Sequence, residues 1–299
     1  MPSVSLNGAW YYNKYLENVS GVDSVGNKTA TGQQGLQNML AATGTYTLLD
    51  NHELGNQSLQ SGGASLAAGS RVTPSQGFDV NTTGAYDNQT SSFKTLQKAF
   101  FDYHPTKASL DANLNSTGPT VNNPADPRSN GTPIQYFAQQ QGKNVLYMQL
   151  DDSTYRDARL GKQSGTSVVD DVTSGRQNNP NRTMLGSTQL SWVKQTLLDA
   201  QAAGTPWKFI AISTPIDQTG PAQDGKSWYG GYAAERNELL KFIADNNISN
   251  VVFLTTDDHL TRMNALTYEI TFGDPSTTKV VPGTFRSLRV RLAPAGPTR

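Results

Sequence analysis

The hydrophobic and polar positions of this chain follow two different periods along much of its length. Apolar residues three to four positions apart predict helices, and short apolar runs bounded by turn residues predict buried strands. These patterns predict, in chain order, a helix over 34–42, a strand over 45–49, a helix over 93–103, a strand over 145–150, a helix over 189–203, a strand over 207–212, a helix over 233–245 and a strand over 250–254. Helices that alternate with strands predict an α/β fold.

Two polar stretches interrupt this pattern, over 55–92 and 113–132. Both are rich in Gly, Ser, Asn and Thr and have little hydrophobic periodicity, so each is predicted to be a long surface loop. The tail differs again, because 263–272 and 285–292 alternate like a hairpin of an edge sheet or a second sheet. We predict a single domain over 1–299, since large α/β units reach this length.

The ends of two predicted helices carry local signals. Ser187 or Thr188 is predicted to cap the helix over 189–203, and Gly204 is predicted to end it. His104 follows the helix over 93–103, where the helix dipole favours a charged imidazole. We therefore predict a structural role for His104.

Composition and charge exclude several kinds of partner. The chain has 299 residues, of which 35% are hydrophobic and 16% charged, and its formal net charge is zero. A neutral chain has no electrostatic footprint for nucleic acid or an anionic membrane. No apolar stretch approaches the about 20 residues that span a bilayer, and the first residues do not resemble a signal peptide. The abundance of uncharged polar residues still favours a parent protein that is secreted or periplasmic.

Candidate metal chemistry is limited to oxygen and nitrogen donors, because the chain has no cysteine. Such donors, or hydroxyl groups, follow four predicted strands: Asp50-Asn51-His52-Glu53, Asp151-Asp152, Ser213-Thr214 and Asp257-Asp258-His259. Open α/β sheets bind ligands beyond the carboxyl ends of their strands, so we expect these clusters to converge. Carboxylates, an amide and imidazoles suit a site that holds a phosphoester between metal ions.

Five ordered segments carry a resemblance to a known family. They are 46–55 with its Asn51-His52-Glu53 motif, 150–157, 184–193, 226–236 and 250–259 with Asp257 and His259. Together they resemble the alkaline phosphatase D family of calcineurin-like metallophosphoesterases, over about residues 35–272. The resemblance implies a calcineurin-like sandwich of mixed sheets flanked by helices. It also implies a metal-dependent phosphomonoesterase or phosphodiesterase that acts through metal-activated water on a small-molecule phosphoester.

The resemblance implies roles for individual residues. Asn51, Asp257 and His259 would be metal ligands, with Thr256 where the family usually has glycine. His52 would face the phosphate and assist the leaving group. The implied ions are Ca, Fe, Mn or Zn, which the oxygen and nitrogen donors can hold.

Further residues are predicted to support or line this site. Arg156 would pair either with a phosphate or with a loop carboxylate. A bracing role behind the ligands is predicted for four acidic residues, namely Asp50, Glu53, Asp151 and Asp258. Three aromatic residues would form a rim for the organic part of the substrate or would pack as ordinary core residues, namely Trp228, Tyr229 and Tyr232.

The chain departs from the family before Asn51. Family members begin their metal site with upstream aspartates, and nothing before Asn51 matches them, so the amino-terminal part of the fold is expected to be missing. This departure leaves two alternatives to the phosphoesterase. One is a weakly active or inactive remnant that binds partners or forms a homodimer over an exposed sheet edge. The other is a metal-dependent hydrolase of a different ester.

Overall fold

The computed structural model describes residues 12–13, 15–17, 20, 38–50, 53–54, 87–89, 91–157, 176–218, 227–257 and 262–289. Its helices and strands are, in chain order, α1 (Ser91–Tyr103), β1 (Ser109–Leu110), β2 (Ser116–Thr117), β3 (Phe137–Gln141), β4 (Val145–Gln149), α2 (Gly186–Ala202), β5 (Trp207–Ile212), α3 (Trp228–Gly231), α4 (Ala233–Asp245), β6 (Val251–Thr255), β7 (Met263–Asn264), β8 (Thr267–Glu269), β9 (Thr278–Val280) and β10 (Thr284–Arg289). Residues 38–42 are also helical. The predicted mixture of helices and strands is confirmed.

A six-stranded mixed sheet forms the centre of the fold, with the order β3-β4-β5-β6-β10-β7. The four strands β4, β5, β6 and β10 are parallel to their neighbours in this group. The outer strands β3 and β7 are antiparallel to β4 and β10. Helix α2 connects β4 to β5 and α4 connects β5 to β6, so the chain leaves β4, β5 and β6 at the same edge of the sheet.

The main core lies between this sheet and the helices α2 and α4. Alternate strand residues enter it because successive side chains of a strand point to opposite faces. The helices contribute apolar residues at helical spacing. The buried members from these elements include Leu146, Met148, Ile210, Ile212, Val251 and Phe253 from the strands, and Leu190, Val193, Leu197, Leu239, Leu240 and Ile243 from the helices.

The tail folds differently from its prediction. Strands β7 and β10 do pair in antiparallel fashion, with Leu288 opposite Met263. Strand β10 also pairs in parallel with β6, so it lies inside the main sheet and not in a separate hairpin. The separate two-stranded sheet is instead formed by β8 and β9.

The predicted strand over 45–49 is wrong, because this segment has no strand structure. Its contacts are made by side chains: Tyr46 stacks on Tyr147 with ring centroids 5.0 Å apart, and Gln149 Nε2 donates to the carbonyl of Thr47 at 2.8 Å. Conversely, strand β3 was not predicted, since its sequence is mostly glutamine. An edge strand tolerates such a sequence because it packs against the sheet on one side only.

The predicted cap of α2 is also wrong. The helix begins at Gly186, and the Oγ1 atom of Thr183 accepts a hydrogen bond from Gly186 N at 2.7 Å. Ser187 and Thr188 instead form hydrogen bonds with the side chain of Asn123, at 3.2 and 3.0 Å. The predicted end is confirmed, because Gly204 follows the helix with a φ of +69°. Within the described part of the chain, no helix has the length and apolar character needed to cross a bilayer.

Candidate active site at the carboxyl edge of the sheet

Polar residues that follow three neighbouring parallel strands meet at the carboxyl edge of the sheet. Asp152, after β4, is fully buried, and its Oδ1 accepts a hydrogen bond from Ser213 Oγ at 2.6 Å. Its Oδ2 accepts from the Thr214 backbone N at 2.8 Å and from Thr214 Oγ1 at 2.6 Å. Thr256, after β6, donates from Oγ1 to the carbonyl of Ser213 at 2.8 Å. Side-chain hydrogen bonds therefore join the ends of β4, β5 and β6.

Asp151 organises the turn that follows β4. Its Oδ1 accepts hydrogen bonds from the backbone N of Ser153 at 3.0 Å and of Thr154 at 2.8 Å. The Gln189 side chain of α2 bonds both the N and the O of Asp151, at 2.9 and 2.8 Å. Burial raises the pKa of Asp151 to about 6, and its Oδ2 is buried without a hydrogen-bond partner. The Asp151 carboxyl group is therefore a fixed, buried part of this turn.

Asp257, a predicted metal ligand, lies directly after β6. It has a φ of 57°, which is in the left-handed region that Asp adopts more readily than most residues. Thr256 does not have a positive φ, so threonine can replace the glycine that is usual in the family. Asp257 is half-buried. Asp258 and His259 lie outside the described residues.

The segment before the Asn51-His52 motif is attached to the sheet and to α1. The bond from Gln149 to Thr47 places it beside the last residue of β4. Leu49 and Leu54 are buried with Phe93 and Leu96 of α1 in a second apolar cluster. This cluster fixes the chain on both sides of the motif.

Asp50 and Glu53 flank the Asn51-His52 pair in sequence. The Oε2 atom of Glu53 accepts a hydrogen bond from Asp50 N at 3.0 Å, and burial raises the pKa of Glu53. This bond holds together the two residues that flank the predicted ligand Asn51 and the predicted catalytic His52 in sequence. Asn51 and His52 themselves lie outside the described residues.

Arg156 and Asp157 follow the turn that Asp151 organises. Arg156 is buried, with 8% of its surface exposed. The neighbouring carboxylate of Asp157 pairs with Arg128 Nη1 at 2.5 Å and accepts from Thr183 N at 2.8 Å. Arg128, which the sequence did not indicate, is thus an arginine that holds a carboxylate of this loop.

The three aromatic residues of the predicted rim lie largely inside the protein. Trp228 and Tyr232 have no exposed surface, and the Tyr232 hydroxyl donates to the carbonyl of Asp157 at 2.6 Å. The guanidinium of Arg182 lies 4.7 Å from the centre of the Tyr232 ring. Tyr229 is half-buried beneath Arg236, at 5.6 Å. This placement favours the packing alternative for Trp228 and Tyr232.

Sequence reasoning missed a buried carboxylate behind the site, that of Glu235. Its Oε1 accepts from Met184 N at 2.9 Å and from Leu185 N at 3.1 Å, and its Oε2 accepts from Thr183 Oγ1. Burial raises the pKa of Glu235 to about 7. Glu235 thereby satisfies two backbone donors that precede α2. No local signal identifies this role, because donor and acceptor are 50 or more residues apart.

His104 has a structural role, as predicted, but its imidazole is not in the charged form that we predicted. Its Nδ1 lies 2.8 Å from the carbonyl of Phe100, and its ring stacks on the Phe100 ring at 4.2 Å. Burial lowers the pKa of His104, so the charged form that we predicted is disfavoured. The cause is desolvation, which outweighs the hydrogen bond with the Phe100 carbonyl that favours the charged form.

The described residues include only part of the predicted metal site. Among the described residues, no group of three or more His, Cys, Asp or Glu side chains could hold a metal ion. Of the predicted ligands Asn51, Asp257 and His259, only Asp257 is described. The meeting of the two motif ends around one cation therefore stays a prediction.

The architecture is a mixed α/β fold in which polar groups from neighbouring parallel strands share one edge. A family model described as PhoD-like phosphatase matches residues 28–283. Alkaline phosphatase D of Bacillus subtilis (strain 168) is 31% identical over 127 residues, which cover 40% of this chain and 20% of that protein. A solved structure described as "Structure of PhoD" matches with a TM-score of 0.46 and 21% identity, over 68% of this chain and 35% of that chain.

The chain belongs to the PhoD-like phosphatase family, because the family model covers more than half of its length. This confirms the resemblance seen in the sequence motifs. The match spans only 20% of the length of the curated relative and 35% of the solved chain.

Proposed function

We propose that this protein is a metal-dependent phosphoester hydrolase that acts on phosphomonoesters or phosphodiesters at the carboxyl edge of its sheet. The observation that carries the proposal is the meeting of the residues after β4, β5 and β6 around buried Asp152. Family membership supports the reaction class. The buried hydrogen bonds support a rigid edge, which is what precise placement of a reacting phosphate requires.

The donor chemistry of the proposed site fits a metal ion. Asn51, Asp257 and His259 would offer an amide oxygen, a carboxylate and an imidazole, a set that suits Ca, Fe, Mn or Zn. Asp151 provides a further buried carboxyl group after β4. When bound, the metal would supply positive charge that activates water and stabilises the charge on the phosphate oxygens.

The other residues would position the substrate and move one proton. His52 would donate a proton or a hydrogen bond to the leaving oxygen. Arg156 would pair with a phosphate oxygen, or would remain a structural residue of the loop in which it is buried. Asp50, Glu53 and Asp258 would brace the ligands beside them in sequence. Secretion of the parent protein stays a prediction from composition.

The proposal is tested by hydrolysis of 4-nitrophenyl phosphate and bis(4-nitrophenyl) phosphate before and after removal of metal with a chelator. We expect chelation to abolish turnover, and re-addition of one of the four ions to restore it. Asn51→Ala and Asp257→Ala are expected to lower kcat/KM at least about 100-fold, because each removes a proposed ligand. Asp245→Ala is the control, since Asp245 is an exposed carboxylate at the end of α4.

Three results would point elsewhere. Turnover that survives both chelation and Asn51→Ala would exclude the metal mechanism. A protein without bound metal or turnover that forms a stable homodimer in light scattering would favour the alternative of a binding or oligomerising module. Metal-dependent cleavage of carboxylic esters without cleavage of phosphoesters would favour the other hydrolase.

A further inference from the structure

A cavity lies beside the candidate site, between the segment 45–47, the residues after α1 and strand β3. Its volume is about 180 Å³. Six of its lining residues define its chemistry, namely Tyr46, Lys107, Ile134, Gln135, Phe137 and Gln139. Aromatic and apolar walls with a few amide groups and one cation are typical of a small-molecule pocket.

The size of the cavity limits what it can hold. An apolar cavity of about 150 Å³ in a protein interior binds benzene. A cavity of about 180 Å³ therefore accommodates one aromatic ring with a small substituent. The amides of Gln135 and Gln139 provide hydrogen-bonding groups for such a substituent.

The walls of the cavity are held in place by contacts on both sides. The Tyr46 ring lies 5.0 Å from Tyr147 and 5.3 Å from Phe137, centre to centre, and Gln141 Nε2 donates to its hydroxyl at 3.3 Å. Gln149, which also lines the cavity, donates to the carbonyl of Thr47 at 2.8 Å. A wall fixed in this way presents aromatic surface without a large ordering cost on binding.

Two residues that line the cavity, Gln149 and Thr47, lie close in sequence to residues of the candidate site. Gln149 is two residues before Asp151, and Thr47 is four residues before Asn51. Since a residue spans at most about 3.6 Å, these separations are at most about 7 Å and about 14 Å along the chain. Gln149, which lines the cavity, is therefore close to the turn that follows β4, so the cavity and the polar strand ends adjoin at this edge of the sheet.

We propose that the cavity binds the aromatic ring of a single-ring aryl phosphoester, while the phosphate lies at the carboxyl edge of the sheet. This inference rests on the proposed function and names its substrate class. Hydrolysis would break the bond between phosphorus and the aryl oxygen. The hydroxyl of water would join phosphorus, and its proton would pass to the departing aryl oxygen.

Two neighbouring glutamines of β3 provide a matched pair of variants. Gln139 and Gln140 are both exposed, but successive strand residues point to opposite faces, and only Gln139 lines the cavity. Gln139→Trp fills the cavity with a large ring, whereas Gln140→Trp adds the same ring on the other face. Thr106→Trp narrows the cavity from the opposite wall and serves if Gln139→Trp does not fold.

The test measures binding of phenylphosphonate and methylphosphonate, which cannot be hydrolysed, by calorimetry with metal present. We expect wild type and Gln140→Trp to bind phenylphosphonate at least about tenfold more tightly than methylphosphonate, and Gln139→Trp to lose this preference. The ratio of kcat/KM for phenyl phosphate to that for methyl phosphate should follow the same order.

The two proposals fail in different ways. Equal affinity of wild type for both phosphonates, no binding of either, or a preference that Gln139→Trp leaves intact would overturn the aryl pocket. If phosphate esters are not hydrolysed but the phenyl preference is present and sensitive to Gln139→Trp, the hydrolase proposal fails and the aryl pocket stands.

Discussion

Glu235 shows at the scale of one residue how burial changes the behaviour of an ionisable group. Glu235 is 5% exposed, and its carboxyl group accepts backbone hydrogen bonds from Met184 and Leu185. These bonds favour the carboxylate, yet desolvation is the larger effect and raises the pKa from 4.5 to about 7. The folded protein therefore holds a proton on Glu235 over a pH range in which the unfolded chain has lost it.

This difference predicts a pH-dependent stability. Between about pH 4.5 and pH 7 the folded state binds more protons at Glu235 than the unfolded state does. The stability that protonated Glu235 contributes is therefore fully present below pH 4.5 and is lost as the pH rises through 7. The slope is up to about 1.4 kcal/mol per pH unit. Glu235→Gln removes the titrating group, so the free energy of unfolding of the variant, measured in urea, should fall less across this range than that of wild type. Parallel curves for the two proteins would contradict the prediction.

At the scale of an element, helix α2 depends on glycine at both ends. Gly186 begins the helix with a φ of +71°, and a Cβ added there would lie 3.2 Å from the Cβ of Tyr155. Gly204, after the helix, has a φ of +69°, but a Cβ added there would meet nothing within 4 Å. Both positions require a left-handed backbone conformation, but only at Gly186 would an added Cβ crowd a neighbouring side chain.

We expect Gly204→Ala to lower the free energy of unfolding by roughly 1 kcal/mol, because an alanine must adopt a left-handed conformation. Gly186→Ala should cost roughly 2–4 kcal/mol, because crowding against Tyr155 adds to the same backbone strain. Urea unfolding of the two variants beside wild type measures both values. Equal losses would show that the contact with Tyr155 relaxes without cost.

At the scale of the whole molecule, Arg236 joins parts of the chain that are distant in sequence. Its Nε donates to the carbonyl of Ile216 at 2.5 Å, its Nη1 to the carbonyl of Thr267 at 2.9 Å, and its Nη2 to Gln218 Oε1 at 3.0 Å. The guanidinium thus ties α4 to the chain after β5 and to β8. Burial lowers the pKa of Arg236 to about 10, which still leaves it charged at neutral pH.

Arg236→Met should lower the free energy of unfolding by roughly 3 kcal/mol, because it leaves the buried carbonyl of Ile216 and the part-buried carbonyl of Thr267 without this donor. Lys241→Met on the same helix is the control. Lys241 pairs with Asp245 at the surface, where a pair contributes roughly 0.5 kcal/mol. Chemical denaturation of both variants compares them directly. If both variants lose the same small amount, Arg236 does not hold the three segments together.

Much of the fold and part of the candidate site could be predicted from the sequence, and particular residues show why. The strands β4, β5 and β6 and the helix α4 follow from local apolar spacing, which survives folding because each element buries a regular face. The convergence of Asp152, Ser213 and Thr256 follows from the rule that parallel strands end at one edge. The cavity beside Tyr46 could not be predicted, because its walls come from three separate parts of the chain.

By itself, the sequence determined the alternation of helices and strands, the absence of thiol chemistry and the family, since each is written in local spacing or composition. The tertiary structure alone decided that 45–49 is not a strand, that β10 enters the main sheet and that Glu235 accepts hydrogen bonds from the backbone of Met184 and Leu185 before α2. These features depend on partners such as Gln149 and Met184, which are distant in sequence and become neighbours only when the chain has folded.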